Sequence, residues 1–419
     1  MEKLIIHGGE TLEGRVSISG SKNSSLPILA ATLLTREPCV IRRVPDVSDT
    51  NYMLQILRSL GAEVERASGT VSVSAEKLQS VAPYDLVRKM RASVCVMGPL
   101  LARLHQATVS LPGGCVIGAR PIDLHLRAFE KLGAKVKVEA GNVIIHADEL
   151  IGDEVNMRGK SGTTVLGTDN LIMAAVLAKG VTVIEGAAAE PEVIDLAEFL
   201  NKMGANIEGA GTARITIEGV KELHGVEHTV IPDRIEAGTF LVAGAMAGKE
   251  LELRRTRSDH LTAVTETLIK SGHEIEINGT TMKVRPGSTT KGCDITTEAY
   301  PGFPTDMQAQ MCALFSLTPG ISVVAETIFP QRFMHVAEMS RMGADIELDG
   351  HTAIIRGVET LSGAPVMASD LRASAALLLA ALRADGATEI NRVYHIDRGY
   401  ENLDDKLIEL GARIERVQM

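Results

Sequence analysis

The sequence predicts an α/β protein of two domains assembled from six copies of one unit, repeating about every 70 residues. Three observations carry that expectation. The phrase SLGAEVERASGTVSV, which contains Gly61, returns in altered form around Gly133, Gly204, Gly272, Gly343 and Gly411. Upstream of each glycine lies a segment that is apolar nearly all round, such as SSLPILAATLLT or LRASAALLLAAL. Such a segment marks a helix buried on most sides rather than one lying on a surface. Finally, 419 residues exceed the roughly 250–300 at which a single core stops growing.

Each copy reads in the same order. The apolar segment is a buried helix, and a short strand follows it, as in CVIRRV, ATVSL, VTVIEG, LELRR, ISVVAE and TEINRV. Next comes a helix with one apolar face, as in IDLHLRAFEKLG, ended by the repeated glycine as a C-cap. Alternating residues then give a β-hairpin, so the unit is βαβαββ-like. The sixth copy stops after one strand, ARIERV, while KLIIHGG and GRVSISG at the start form a strand, turn and strand without a unit of their own. The N-terminal stretch is therefore expected to complete the last repeat. Three units per domain follow, with residues 21–229 as one domain and residues 1–20 and 230–419 as the other. Helices lie inside and sheets outside, and the chain crosses near SGSKNS and HTVIPDRIEAG. Buried helices with a common direction gather their N-termini at one end of a domain, where amide groups and dipoles favour anions. If two such ends face each other, the cleft between the domains traps anions.

A net charge of −10 opposes general adhesion to nucleic acid. Tryptophan is absent and other aromatic residues are few, which removes the platforms on which bases stack. The longest apolar run, residues 373–382, is too short to span a bilayer, so no membrane span is predicted. Five cysteines, an odd number, and a start without a signal-peptide core indicate reduced thiols and a cytoplasmic location. No oligomeric state is specified.

The stretch LPGGCVIGARPIDLHLRAFEKLGA surrounds Cys115 with glycines and then offers Arg120, Pro121 and Asp123 at the mouth of a helix ending at Lys131. A thiol and a guanidinium beside a first helical turn fit an anion-handling loop, although a glycine-rich turn with an incidental cysteine has the same composition. Lys22 and Asn23 begin the first buried helix, Arg91 the second and Arg372 the sixth. A cation there opposes the helix dipole and calls for a compensating anion; solvated side chains on a rim are the alternative. Asp306 stands where an N-cap is expected in the fifth unit, and Arg332 and Arg398 precede amphipathic helices, as Arg120 does. His125 lies ten residues from Cys115, as a base for the thiol or as a structural histidine. No metal motif is present, and no metal or organic cofactor is implied.

The set SGSKNSSLPILAATLL, RKMRAS, LPGGCVIGARPIDLH, AAAEPEVIDLAEFL, TVIPDRIEAGTF, YPGFPTDMQAQ, RFMHVAEMSRMGAD, SDLRASAALLLA and HIDRGYENL closely resembles the UDP-N-acetylglucosamine 1-carboxyvinyltransferases over essentially the whole chain. The related 5-enolpyruvylshikimate-3-phosphate synthases lack the PGGCxIGxRP loop. The resemblance implies an inside-out α/β barrel in each of two domains, and enolpyruvyl transfer from phosphoenolpyruvate to UDP-N-acetylglucosamine at the start of peptidoglycan synthesis. It implies that Cys115 is the proton donor, forms an adduct with phosphoenolpyruvate, and is the target of the epoxide fosfomycin. Lys22, Arg120 and Arg398, with Arg372 nearby, would hold the phosphate and carboxylate. Asn23, Arg91, Arg120, Pro121, Ile122, Asp123, Leu124, Lys160, Asp306 and Ile328 would line the sugar-nucleotide site, with Asp306 as the base facing the sugar hydroxyl. After Lys160 this chain reads SGTTVLGTDN where the family carries a KVSVGAT-like run. Two other readings fit the same residues: transfer to a shikimate acceptor, and a non-catalytic sugar-nucleotide sensor on the same scaffold.

Overall fold

The computed structural model describes residues 2–111, 122–159 and 162–418. Leaving aside the single turn Tyr84–Val87, the helices in chain order are α1 (Lys22–Ala31), α2 (Ser48–Ser59), α3 (Met97–Leu104), α4 (Asp123–Lys131), α5 (Val165–Ala175) and α6 (Pro191–Lys202). They continue as α7 (Arg234–Ala247), α8 (Thr262–Lys270), α9 (Gln308–Phe315), α10 (Met334–Arg341), α11 (Leu371–Leu382) and α12 (Leu403–Glu409). The odd-numbered helices are the apolar segments. In α1 every residue but Asn23 is buried, in α9 all are, and in α11 all but Leu371. The even-numbered helices bury one face only, as in α4, where His125, Ala128 and Phe129 turn inward.

All six repeated glycines follow an even-numbered helix with positive φ, from +92° at Gly343 to +106° at Gly411. The next residue donates its N–H five positions back, as Ala62 does to Leu57 and Ala412 to Leu407. That bond is the 6→1 bond of the Schellman motif, which satisfies a carbonyl the helix end would leave open. A side chain at these glycines would be held in the left-handed region, which L-residues resist.

The second buried segment departs from a single α-helix: residues Arg91–Val96 wind as a 3-10 helix before α3. Asn170 of α5 is inserted into the ladder. Its Oδ1 accepts from the Gly98 N–H at 2.8 Å and its Nδ2 donates to the Val94 carbonyl at 2.9 Å, replacing the bond between those two groups. A side chain in the i→i−4 ladder is a recognised cause of such a break.

Two compact units emerge. One contains the described residues from Gly20 to Ile231; the other contains residues 2–19 and 232–418. The chain thus passes between units a residue or two away from the sequence-derived 20/21 and 229/230, because the Val230 N–H donates to the Arg42 carbonyl and the Ile231 carbonyl accepts from the Ser21 N–H inside the first unit. Each unit has its own apolar core, with Leu29, Phe129 and Phe199 in the first and Leu4, Phe240 and Phe315 in the second. In the first, α3 packs on α5; in the second, α9 packs on α7 and α11. Helices are therefore inside and strands outside. Among the described residues the outer strands form separate sheets, one of three or four strands for each repeat, beside a small parallel pair of Leu361–Ser362 with Ala384–Asp385. Asp195 of α6 ties the first unit together, bonding Ser24 of α1, His228 at 2.9 Å and the Ile231 N–H at 3.2 Å.

Each of these sheets holds the strand that follows the buried helix and the hairpin, and those of the third, fifth and sixth repeats add a parallel strand from the preceding segment. Strand Glu2–His7 takes the place of the missing hairpin strand in the sixth repeat, lying antiparallel between Ala387–Asn391 and Arg413–Gln418. Strand Leu12–Ser17 does not accompany it there. It runs parallel to Gly248–Arg254 in the fourth repeat's sheet, in the position that Glu227–Thr229 occupies beside Cys39–Arg42 in the first. The two N-terminal strands are thus not a hairpin completing the last repeat, as the sequence suggested. Among the described residues no helix is long and apolar enough to cross a membrane.

Candidate active site

In the second unit the sequence-selected residues Asp306, Arg332 and Arg372 come together. Asp306 lies in the 3-10 turn Thr305–Met307 leading into α9, where the N-cap position falls on Met307, so the N-cap expectation is corrected. Its Oδ1 accepts from Arg332 Nη1 at 2.7 Å, and its Oδ2 accepts from Arg372 Nε and Nη2 at 3.3 and 3.2 Å. Charge-assisted bonds of this kind are about twice as strong as neutral ones. Both guanidiniums are almost wholly enclosed, whereas the Asp306 side chain keeps 26% of its surface exposed. The carboxylate is therefore held by two enclosed cations on a side chain that stays partly exposed.

Arg372 follows Asp370, whose side chain caps α11 by accepting from the Arg372 and Ala373 N–H groups. Its guanidinium carbon lies 5.0 Å from the centre of the Tyr400 ring. Burial works against this charge, but Tyr400, Asp306 and Asp233 outweigh it and raise the guanidinium's pKa above its ordinary value. The dipole conflict is thus resolved by carboxylates of the chain itself. Burial in turn raises the pKa of the Tyr400 phenol, whose oxygen bonds Thr239 at 2.9 Å and Gln310 at 3.2 Å. Ile328 sits in the turn after strand Ile321–Ala325, its N–H donating to Glu326. Arg398 is half-buried in the loop before α12, close enough that its charge, after burial, lowers the pKa of His395.

In the first unit Lys22 is the first residue of α1, behind an N-cap bond from Ser24 N–H to Ser21 Oγ. Lys22 is buried, and its Nζ lies 3.2 Å from the buried Asp49 carboxylate of α2. A rim of solvated side chains is therefore excluded for Lys22 and Arg372, and Asp49 supplies an internal counter-charge. Asn23 is the half-buried second residue of α1, and Arg91 opens the 3-10 turn before α3. Ile122 is buried, Leu124 packs partly against the core, and Asp123 begins α4, pairing with Arg127 at 3.2 Å. His125 is structural: its Nδ1 meets the Asn170 amide at 3.0 Å, and burial, then the Arg91 charge, holds its pKa at about 3.

Cys115, Arg120, Pro121 and Lys160 lie outside the described residues. The other four cysteines are buried, and burial raises every one of their thiols, Cys39 to about 11. Cys293 is only 6% exposed, although it stands in the polar segment KGCDITT. Sequence reasoning overlooked Asp49, Asp233, Tyr400 and Glu326. An acidic residue in the first turn of α2 and the tyrosine of HIDRGYENL were visible signals, but their partners are distant in sequence. Among the described residues no group of His, Cys, Asp and Glu could hold a metal ion.

Residues 6–407 match the family model described as EPSP synthase (3-phosphoshikimate 1-carboxyvinyltransferase). The chain is 66% identical over 420 residues to the UDP-N-acetylglucosamine 1-carboxyvinyltransferase of Akkermansia muciniphila, covering 100% of this chain and 99% of that one. It is 59% identical over 417 residues, with the same coverage, to the protein of that name from Methylacidiphilum infernorum. Among solved structures it is similar to the enolpyruvyl transferase NikO from Streptomyces tendae, with a TM-score of 0.91 at 26% identity and coverage of 100% and 99%. EPSP synthase from Acinetobacter baumannii shares the fold, with a TM-score of 0.77 at 18% identity and full coverage of both chains.

Proposed function

The chain belongs to the EPSP synthase family of carboxyvinyltransferases, and on that premise we propose that it transfers the enolpyruvyl group of phosphoenolpyruvate to the 3′-hydroxyl of UDP-N-acetylglucosamine. Phosphate is released, and the reaction is the first committed step of peptidoglycan synthesis. Relatives bearing that name align over the full length at high identity. The observation that best supports this chemistry is Asp306, held by two enclosed guanidiniums on a side chain that stays partly exposed. A positioned carboxylate is what removal of a hydroxyl proton requires.

In this reading the sugar oxygen attacks C2 of phosphoenolpyruvate as Asp306 takes its proton, and Cys115 gives a proton to C3. The tetrahedral intermediate then loses phosphate and a C3 proton, leaving the enolpyruvyl ether. Phosphoenolpyruvate carries close to three negative charges, so C2 accepts an oxygen only after those charges are met by preorganised cations. Lys22, Arg120 and Arg398, with Arg372, are assigned that task. Arg332 and Arg372 also orient Asp306. Asn23, Arg91, Pro121, Ile122, Asp123, Leu124, Lys160 and Ile328 are assigned to the sugar nucleotide. The carboxylate of Asp49 holds the Lys22 ammonium in place between turnovers.

Phosphate release measured with phosphoenolpyruvate and either UDP-N-acetylglucosamine or shikimate 3-phosphate tests the proposal. Release is expected with the sugar nucleotide alone. Release only with the shikimate acceptor would reassign the substrate, and binding of the sugar nucleotide without turnover would make the protein a sensor.

A further inference from the structure

Glu326, 1% exposed, stands at the end of strand Ile321–Ala325. One carboxylate oxygen accepts from the Thr297 hydroxyl at 2.7 Å and from the N–H groups of Ile328 and Phe329, both at 2.9 Å. The other accepts from the Thr305 hydroxyl at 2.8 Å. A hydroxyl has one proton to give, so with that proton committed to Glu326, the Thr305 oxygen faces Arg332 as an acceptor. Arg332 Nη1 donates to it at 3.1 Å and, from the same nitrogen, to Asp306 Oδ1 at 2.7 Å. Because a carboxylate only accepts, the direction of every bond from Glu326 outward to Asp306 is fixed.

We infer that Glu326 and Thr305 are positioning residues of the transfer reaction, which set the Arg332 guanidinium, and through it the Asp306 carboxylate, while the same Glu326 carboxylate fixes the backbone at Ile328. The inference rests on the reading of Asp306 as the group that takes the sugar proton. Neither residue need touch substrate. Their contribution is the placement of the carboxylate, and a misplacement of the order of 1 Å costs on the order of a hundredfold in rate. Glutamine at position 326 keeps an oxygen for the two N–H groups but turns an NH₂ toward Thr305. The hydroxyl then has no acceptor there, and the chain of bond directions is broken.

The test compares Thr305→Val, Thr305→Ser, Glu326→Gln and Asp306→Asn in steady-state phosphate release, with melting temperatures measured alongside. Valine has the shape of threonine without the hydroxyl, and position 305 is only half-buried, so this variant should fold. Thr305→Val is expected to lower kcat roughly ten- to hundredfold with KM for phosphoenolpyruvate nearly unchanged, the split that marks loss of an interaction made in the transition state. Thr305→Ser should recover most of that loss, and Glu326→Gln should behave as Thr305→Val does. Wild-type kcat in Thr305→Val, or a serine variant no better than valine, overturns the inference. If Glu326→Gln does not fold, the threonine pair decides alone. Asp306→Asn with wild-type kcat would instead refute the reading of Asp306, whereas an inactive Asp306→Asn beside a normal Thr305→Val would refute only the positioning role.

Discussion

Deleting residues 2–17 should unfold the second unit and leave the first folded. Leu4, Ile6, Leu12 and Val16 are each at most 5% exposed, and full burial of such side chains stabilises by about 1.5–3 kcal/mol each, or roughly 6–12 kcal/mol together. Strand Glu2–His7 also separates two neighbours that would both lose their ladder partner. That loss approaches the whole stability of a domain, about 5–15 kcal/mol. The single change Ile6→Ala, within the same core, should cost about 2–5 kcal/mol. Hydrogen exchange read by mass spectrometry on the deletion variant should show fast exchange in Gly248–Arg254, Ala387–Asn391 and Arg413–Gln418, with protection kept in Cys39–Arg42 and Val181–Glu185. Retained protection in the first group would refute the argument. So would loss in the second group alone.

The remaining predictions concern chemistry and acid stability. A thiol reagent, and fosfomycin in particular, should modify Cys115 alone in the folded protein, because the other four thiols are buried and poorly ionised; a mass-spectrometric adduct on Cys293 would show the wrong thiol has been assigned. Cys115→Asp keeps a proton donor and removes the soft nucleophile, so turnover should persist while fosfomycin no longer stops it. Lys22→Gln and Arg398→Gln should each lower phosphate release by about a hundredfold or more, and near-normal kinetics in both would remove them from the reaction. Burial, with nearby arginines, depresses His125 to about 3 and His335 to about 4 from 6.5. The unfolded chain therefore binds more protons in that window, and the stability these histidines contribute above pH 6.5 is lost as pH falls through it, by about 2 kcal/mol each between pH 6.5 and 5. Urea unfolding at pH 7.5 and 5.0 should show a shallower pH dependence in His335→Gln than in the wild type, and an equal dependence would count against the assignment.

Local signals were legible and distant ones were not. The repeated glycines could be read as helix ends because a C-cap needs only the residues beside it, and all six adopt the required backbone. The apolar segments likewise declared their burial through composition. By contrast, the parallel pairing of Leu12–Ser17 with Gly248–Arg254 joins strands far apart in sequence and leaves no local mark, so its destination was misread. The 3-10 turn before α3 is imposed by Asn170, an amide 72 residues away from Gly98. Asp306 illustrates the same limit within the candidate site. Aspartate ahead of a helix is ordinarily a cap, and here it is engaged instead by Arg332, 26 residues on in its own repeat, and by Arg372 from the next. Cys293 has polar sequence neighbours, yet its N–H meets the Ser322 hydroxyl and its thiol the Thr267 carbonyl, contacts that its local sequence does not show.

The pairing of Glu2–His7 with Arg413–Gln418 also sets a clock on biosynthesis. About 400 residues must be made between the two partners, which at roughly 5–20 residues per second takes some 20–80 s. Strand Leu12–Ser17 finds Gly248–Arg254 sooner, but through all that interval Glu2–His7, with Leu4 and Ile6 on one face, has neither of its neighbours. The first unit is complete once residue 231 is out and has no such wait. The nascent chain thus carries an apolar strand looking for a partner during most of its own synthesis, a period in which an unpaired strand is open to wrong pairing, and slower elongation after residue 231 would lengthen that exposure for the second unit alone.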